Sequence, residues 1–438
     1  MNKSWIPALA ALLSCLCGPA EGDSPYIRVT QPDEQTSRLE LAVRTLVPSG
    51  EGPLVHLVGA VHIADPSFYR GVQAWLDVHD VVLYEGVGGG WEATAEQPDA
   101  APALLTDRRL RFIGVLAQQI RAQTGQYPVS AEALSAAFQG ATRGLVDSAL
   151  LDGWGHPIQL QTHGAGFDAV SFGADARPGG DGDAADRRLS QLACSKPATL
   201  VPAAQKGLQR DLADALGLEF QLDGIDYSHP HWRNSDLSVE QIRAALAGEP
   251  IPPKRKAGPP AGQASAPAPP ASEGSDRTDA ERAADVLFGA LSGDSMLAKA
   301  MGFLVKMLGS SAQGRAMIKL VLADTLCHAD AILEAQSGAL GELMTVLTVD
   351  RNKQVVTDLR SVIEHEPGVR SVAIFYGAGH LPDLEQRICD ELGYRYESTT
   401  WLPAITVDIT ESGLSPEQVR SFREMMNKTI QAQLKRGG

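Results

Sequence analysis

The sequence predicts an α/β fold with a mixed, partly parallel sheet and helices, interrupted by a small α+β insert. Three observations predict it. Leu54 to Val58, Pro66 to Val78 and Val81 to Tyr84 are an apolar strand, a helix-spaced segment (Phe68, Val72, Trp75, Leu76) and a second short strand. That β-loop-α-β order is the unit of a parallel sheet. Far downstream, Ser371 to Tyr376 is another apolar strand, and it ends, like the first, in Gly-Ala-x-His. Between the two, Gly173 to Asp186 is an acidic, glycine-rich loop within a stretch whose composition matches neither flank.

At 438 residues the chain exceeds one average domain, so two or three units are expected. A hydrophobic content of 44% against 21% charged residues suits packed cores. Net charge is −15, from 38 basic and 53 acidic residues. Such a surface repels phosphate, so no nucleic-acid partner is expected, and an anionic membrane surface is disfavoured for the same reason. A peptide, small molecule or metal is the expected partner.

The N-terminus reads as an address. Lys3 precedes an apolar run, Ile6 to Leu16. It is too short to cross a bilayer of ~30 Å as a helix but suits the core of a signal peptide over residues 1–22. Two processing routes are open: acylation at Cys15 of a lipobox, Leu12-Leu13-Ser14-Cys15, or ordinary cleavage near Ala20 to Gly22. Leu13 is larger than usual for the lipobox route. Either route exports the protein, to the periplasm or to the outer membrane as a lipoprotein, and a lipid anchor is its one expected membrane attachment. Cys194, Cys327 and Cys389 remain, compatible with one bridge and an odd thiol or with three thiols.

Strands within Arg28 to Val47 complete a first α/β part over 25–95. The insert spans 104–192, with a helix from Thr106 to Ala122 (Leu110, Ile113, Leu116 and Ile120 on adjacent turns), a second from Ser130 to Phe138, and strands around Ile158 to Leu160 and Phe167 to Phe172. A second α/β part covers 203–248, with a helix at Leu208 to Leu216 and a strand at Phe220 to Leu222. Residues 249–278 are rich in proline and alanine and cannot build a core, so they form a linker or loop. The third part, 279–410, carries helices at Asp279 to Leu308, Arg315 to Leu333, Val355 to His365 and Asp383 to Leu392. A C-terminal helix over 411–438 follows.

The chemistry concentrates at strand ends. Glycine lets the chain turn tightly and approach a ligand, and open α/β folds place their sites at the carboxyl ends of strands. If the strands ending in His62, Glu85 and His380 are neighbours, two imidazoles and a carboxylate converge. They could hold a catalytic divalent transition metal, or serve without metal as acid, base and orienter. A lone strand-end histidine is otherwise a hydrogen-bonded structural residue. Asp226, His229, His231 and Asp236 form a second polar cluster, in which His-Pro-His favours turn capping over metal ligation. His365, between two glutamates, reads as a solvated helix end.

Residues 55–87, VHLVGAVHIADPSFYRGVQAWLDVHDVVLYEGV, resemble the opening of the TraB/PrgY/GumN/TIKI family. Residues 372–394, VAIFYGAGHLPDLEQRICDELGY, are similar to its closing segment, and Val349-Asp350-Arg351-Asn352 resembles its helical arginine motif. Residues 208–236 also fit bacterial members. The resemblance implies a TraB-type core and a metal-dependent peptidase or hydrolase acting on a peptide or related small substrate. It would use His62 and His380 as ligands, Glu85 as ligand or general base and Arg351 as a charged neighbour. The alternative is a non-catalytic peptide-binding protein attached to a secretion apparatus.

Residues 106–190 resemble the periplasmic part of the type II secretion major pseudopilin, GspG, through TGQYP, DGWGHPIQLQ and FDAVSFGADARPGGDGDAAD. The resemblance implies a Ca²⁺ site in the last loop, with Asp175, Asp181, Asp183 and Asp186 as hard oxygen donors and inward carbonyls completing the shell. Composition alone reads the same loop as a solvated acidic turn. The segment before the helix, Glu96 to Pro102, lacks the membrane helix of pseudopilins, so assembly into a pseudopilus by the usual route is not expected. A secretion-system or other envelope protein is the implied partner.

Overall fold

A computed structural model describes residues 26–86, 101–192 apart from 165, 208–246, 250, 252, 309–327 and 346–437. The signal segment with Cys15, Cys194, nearly all of the proline-rich linker and the helix expected over 279–308 lie outside the described residues. Among the described residues Cys327 and Cys389 are not bridged to each other.

The first part holds β1 (Ile27–Thr30), β2 (Thr36–Pro48), β3 (Leu54–Ala60), β4 (Ile63–Ala64), α1 (Pro66–Asp77) and β5 (Val81–Tyr84). All of β5 is buried, and in β3 only Leu54 is not. Pro66 opens α1, where its fixed φ suits the first turn and its missing N–H costs nothing. The expected stripe of Phe68, Val72, Trp75 and Leu76 is buried.

The insert contributes α2 (Pro102–Thr124), α3 (Ala131–Ala136), α4 (Gly140–Ala149) and the antiparallel β6 (Gln159–His163), β7 (Gly166–Ser171) and β8 (Arg187–Arg188). Ser130 caps α3 by accepting from the Ala133 N–H. Gly125 ends α2 in the left-handed region, at φ 81°. The chain returns through α5 (Leu208–Leu216), β9 (Glu219–Phe220), β10 (Trp232–Asn234), α6 (Val239–Leu246) and α7 (Ala312–Cys327). It closes with α8 (Arg351–His365), β11 (Ser371–Gly377), α9 (Leu381–Leu392), β12 (Tyr394–Asp408) and α10 (Pro416–Gly437).

One mixed sheet carries the α/β part, in the order β1-β2-β3-β11-β5-β10, with β12 also paired to β2. β11 runs parallel to both β3 and β5, and β10 parallel to β5. The pairs β1–β2, β2–β3 and β2–β12 are antiparallel. β3 and β5 are thus not direct neighbours, as a simple β-α-β reading suggests. The interior place goes to β11, buried from Ser371 to Tyr376 as a strand covered on both faces must be.

Three further features depart from the sequence reading. β12 has 15 residues, and neither its polar content nor Pro403 announces a strand. It pairs almost the whole of β2, with register shifts at Tyr396/Ser398 and Pro403/Ile405 that accommodate the proline. Helix α4, which buries Thr142, Val146 and Ala149 along one face, was not expected. The strand expected at Phe220 to Leu222 shrinks to β9, followed by a short helix, Gln221–Gly224.

The insert packs into the α/β part. Phe112 of α2 meets Trp75 of α1 edge-on at 5.0 Å between ring centroids, and both are fully buried. Arg108, 6% exposed, reaches His229 at 3.5 Å. Thr142 and Thr45 share a hydrogen bond of 2.9 Å, and the Ala141 N–H donates to Glu397 at 2.7 Å. The core is therefore continuous across the two parts. Phe112→Ala is expected to cost about 3–5 kcal/mol and to lower one shared thermal transition. Calorimetry showing a separate insert transition, with the α/β transition unmoved, would contradict the shared core.

Candidate acid-base site at the strand ends

The parallel strands bring the expected residues to one end of the sheet. Register pairs Ala60 with Gly377 and Tyr84 with Phe375, so the residues just beyond β3, β11 and β5 emerge side by side. The His62 turn is held from two sides. β4 pairs β9, and the Gln221 N–H donates to the His62 carbonyl at 2.8 Å. On the other side the Asp65 N–H donates to the Ala404 carbonyl at 2.8 Å, and the Thr406 N–H to the Asp65 carboxylate at 2.6 Å.

Glu85 accepts from the Gly377 N–H at 2.7 Å and, through its other oxygen, from Arg351 at 2.6 Å. Gly377 is needed for this approach and not for a left-handed turn. A Cβ there would stand 3.2 Å from Glu85 Oε2 and 3.6 Å from His380 Cδ2. Arg351, in the first turn of α8, also donates Nε to Asp236 Oδ1 at 2.8 Å and Nη2 to Oδ2 at 2.7 Å. Its Nη1 lies 3.4 Å from His380 Nε2, while His380 Nδ1 is 2.9 Å from Asn352 Oδ1. His62 stands close enough to Glu85 and Arg351 for both charges to act on its protonation.

The charges are strongly biased. Burial pushes the Glu85 carboxyl up, but Arg351, His380, His62 and the Gly377 N–H outweigh it and hold Glu85 well below the usual carboxylate range. Burial works against the Arg351 charge, and Glu85 with Asp236 more than reverses that, raising its pKa further. His380 is lowered to about 4, first by burial and then by Arg351, against the opposing pull of Glu85, Asp236 and Asp383. His62 is lowered by burial and by Arg351, with Glu85 opposing. At neutral pH the site holds two neutral imidazoles, the Glu85 carboxylate and the Arg351 guanidinium.

The Arg351 guanidinium lies among Glu85, His380 and Asp236, so a transition metal held by His62, Glu85 and His380 would have to share the site with a fixed positive charge that opposes it. Among the described residues no three His, Cys, Asp or Glu side chains are grouped to hold a metal ion. Asp175, Asp181, Asp183 and Asp186 form no such group either. Asp186 Oδ1 accepts from the Gly179 N–H at 2.8 Å, and Asp175 Oδ1 from the Arg177 N–H at 3.0 Å. Asp183 turns its carbonyl to the Ala174 N–H at 2.8 Å.

Two residues of the site were not anticipated in this role. Asp236, grouped by sequence with Asp226, His229 and His231, belongs instead with Arg351, and its side chain is fully buried. It follows β10, a strand of only three residues, too short to be seen as the fourth parallel strand. Asn352 adjoins Arg351, and that adjacency was its only signal. Of the rest of the second cluster, Asp226 caps a turn by accepting from the Ser228 N–H at 2.9 Å, while both ring nitrogens of His231 are buried without a hydrogen-bond partner. His229 sits between Asp77 and Asp226 at 3.6 and 3.8 Å. His365 is exposed at the end of α8, its Nδ1 donating to the Ser361 carbonyl at 3.0 Å.

Residues 94–188 match the family model of type II secretion system (T2SS), protein G. The match covers the insert from α2 to β8, including its four loop aspartates, and none of His62, Glu85, Arg351 or His380. No curated protein and no solved structure matched the chain. The chain is therefore a mixed α/β protein carrying a secretion-protein-G-like insert. Such an insert points to an exported or envelope protein. No described helix is long and apolar enough to cross a membrane.

Removing Arg351 leaves Asp236 and Glu85 as buried, uncompensated carboxylates. Arg351→Met should therefore cost about 3–5 kcal/mol. Arg233→Met, which breaks a half-exposed pair with Glu366, should cost about 1 kcal/mol or less. Urea denaturation of both variants checks the contrast, and equal losses would show that the Arg351 network has no special weight.

Proposed function

We propose that this protein is an exported envelope hydrolase that attacks a peptide, or a related amide or ester, at the strand-end site. The observation that carries the reading is the buried Arg351 bound to both Glu85 and Asp236 beside two neutral imidazoles. Buried ion networks contribute little to stability on balance, and charge-biased clusters of this kind concentrate at functional sites. The resemblance of residues 55–87 and 372–394 to the TraB/TIKI family supports the same class of reaction. The proposed reaction is without a metal, because the Arg351 guanidinium is bound to Glu85 and lies beside His380.

In this reading His62, the more exposed imidazole, accepts a proton as water attacks the substrate carbonyl carbon. Glu85, ionised throughout, steadies the imidazolium that forms. The same proton passes to the leaving nitrogen or oxygen as its bond to carbon breaks. Arg351 holds Glu85 in place. His62→Ala and Glu85→Gln are expected to lower turnover of peptide and ester substrates by roughly 10²–10⁴-fold, with wild-type turnover unaffected by chelator. Undiminished activity in both variants, or none in the wild type, would remove the hydrolase reading.

The match over residues 94–188 favours a second reading, in which the strand-end site only holds a peptide and the insert docks on a secretion-system or other envelope protein. With α2 packed on α1, the outer strand β6 and the acidic loop are the faces left for a partner. Calcium in that loop belongs with this reading. It should raise the melting temperature of the wild type and leave the Asp175→Ala, Asp186→Ala double variant unmoved; a wild type indifferent to calcium rules the ion out.

A further inference from the structure

The hydrogen bonds around Asn352 determine which nitrogen of His380 carries its proton. Asn352 is fully buried. Its Nδ2 lies 3.1 Å from the His380 carbonyl and 2.8 Å from Asp383 Oδ2. Asp383 is held in turn by Arg387 Nε at 2.7 Å. A carbonyl and a carboxylate can only accept, so the NH₂ group must face them and Oδ1 must face the imidazole. Oδ1 is 2.9 Å from His380 Nδ1 and can only accept, so Nδ1 must donate. On the far side of the ring, Arg351 Nη1 can only donate, so Nε2 must be bare. The opposite tautomer sets a lone pair against Asn352 Oδ1 and an N–H against the guanidinium. Both ends of the ring therefore demand the same answer.

We propose that Asn352 is a positioning residue that fixes His380 as its Nδ1–H tautomer, presenting Nε2 to the site as an acceptor for a substrate N–H or O–H. The 3.4 Å contact from Arg351 is longer than a good hydrogen bond, so Nε2 is underused at rest. A peptide N–H or a hydroxyl arriving beside Glu85 would serve it better than the guanidinium does. Gly377 keeps that space open, since a Cβ there would stand only 3.2 Å from Glu85 Oε2. His380 thus orients the substrate and leaves proton transfer to His62. The substrate role rests on the hydrolase reading; the tautomer does not.

The test is nitrogen NMR of the full chain with isotope-labelled histidine at neutral pH, with His380 assigned by the signals lost in His380→Gln. Wild type should show a protonated Nδ1 and a bare Nε2 at this residue. Asn352→Asp keeps an acceptor facing Nδ1 and should keep the tautomer. Asn352→Leu removes the acceptor and leaves only the 3.4 Å contact from Arg351 in favour of this tautomer, so the Nδ1–H population should fall. A wild-type Nε2–H tautomer, or an Asn352→Leu spectrum identical to wild type, overturns the proposal. Should Asn352→Leu not fold, the wild-type and Asn352→Asp spectra still decide it. The measurement needs no substrate, so a chain without hydrolytic turnover that shows the Nδ1–H tautomer loses the reaction and keeps the positioning.

Discussion

The arrangement depends on β11 lying between β3 and β5. Its parallel register with both strands places the turn after Gly377 between those that carry His62 and Glu85. No local contact could do this, because β11 lies far along the chain from both β3 and β5. The interior position demands a strand apolar on both faces, and Ser371 to Tyr376 is buried throughout. The Gly377 N–H then bonds the Glu85 carboxylate across the strand ends, so sheet pairing and site assembly are one event.

Charge explains why the assembled groups tolerate burial. Asp236 alone would be a costly buried anion, and Glu85 beside it would make matters worse. Arg351 resolves both, since its planar fork donates to two carboxylates at once and stays charged where an imidazole could not. Burial keeps the neighbouring imidazoles neutral, and the same guanidinium adds to it. The described site is thus organised around an arginine, with two imidazoles beside it.

The insert is neither a detached module nor a free polymerising one. Its longest helix gives Phe112 and Arg108 to the α/β part, and these meet Trp75 of α1 and the loop before β10. Both contacted elements run on toward the site, α1 from the His62 turn and β10 into Asp236. An element inserted between two halves of a domain can persist if its apolar face is covered, and here the host covers it.

Much of this was legible in the sequence. The apolar runs of β3, β5 and β11, the helical stripe of α1 and the break in composition around Gly173 to Asp186 are patterns that local physics imposes, and they announced an α/β fold with an insert. Matching strand-end motifs also pointed to His62, Glu85 and His380. β12 and β10 stayed hidden, the first because an edge strand need not alternate cleanly, the second because three residues carry no period. Asp236 and Asn352 stayed hidden with them, since their roles come from partners distant along the chain. By itself the sequence determined which residues could do chemistry and on which kind of element each would sit. Only the tertiary structure decided their company: that Arg351 would stand between the two acids, and that Asn352 would face His380. Hydrogen-bond direction and charge balance belong to neighbours in space, and the order of residues does not specify them.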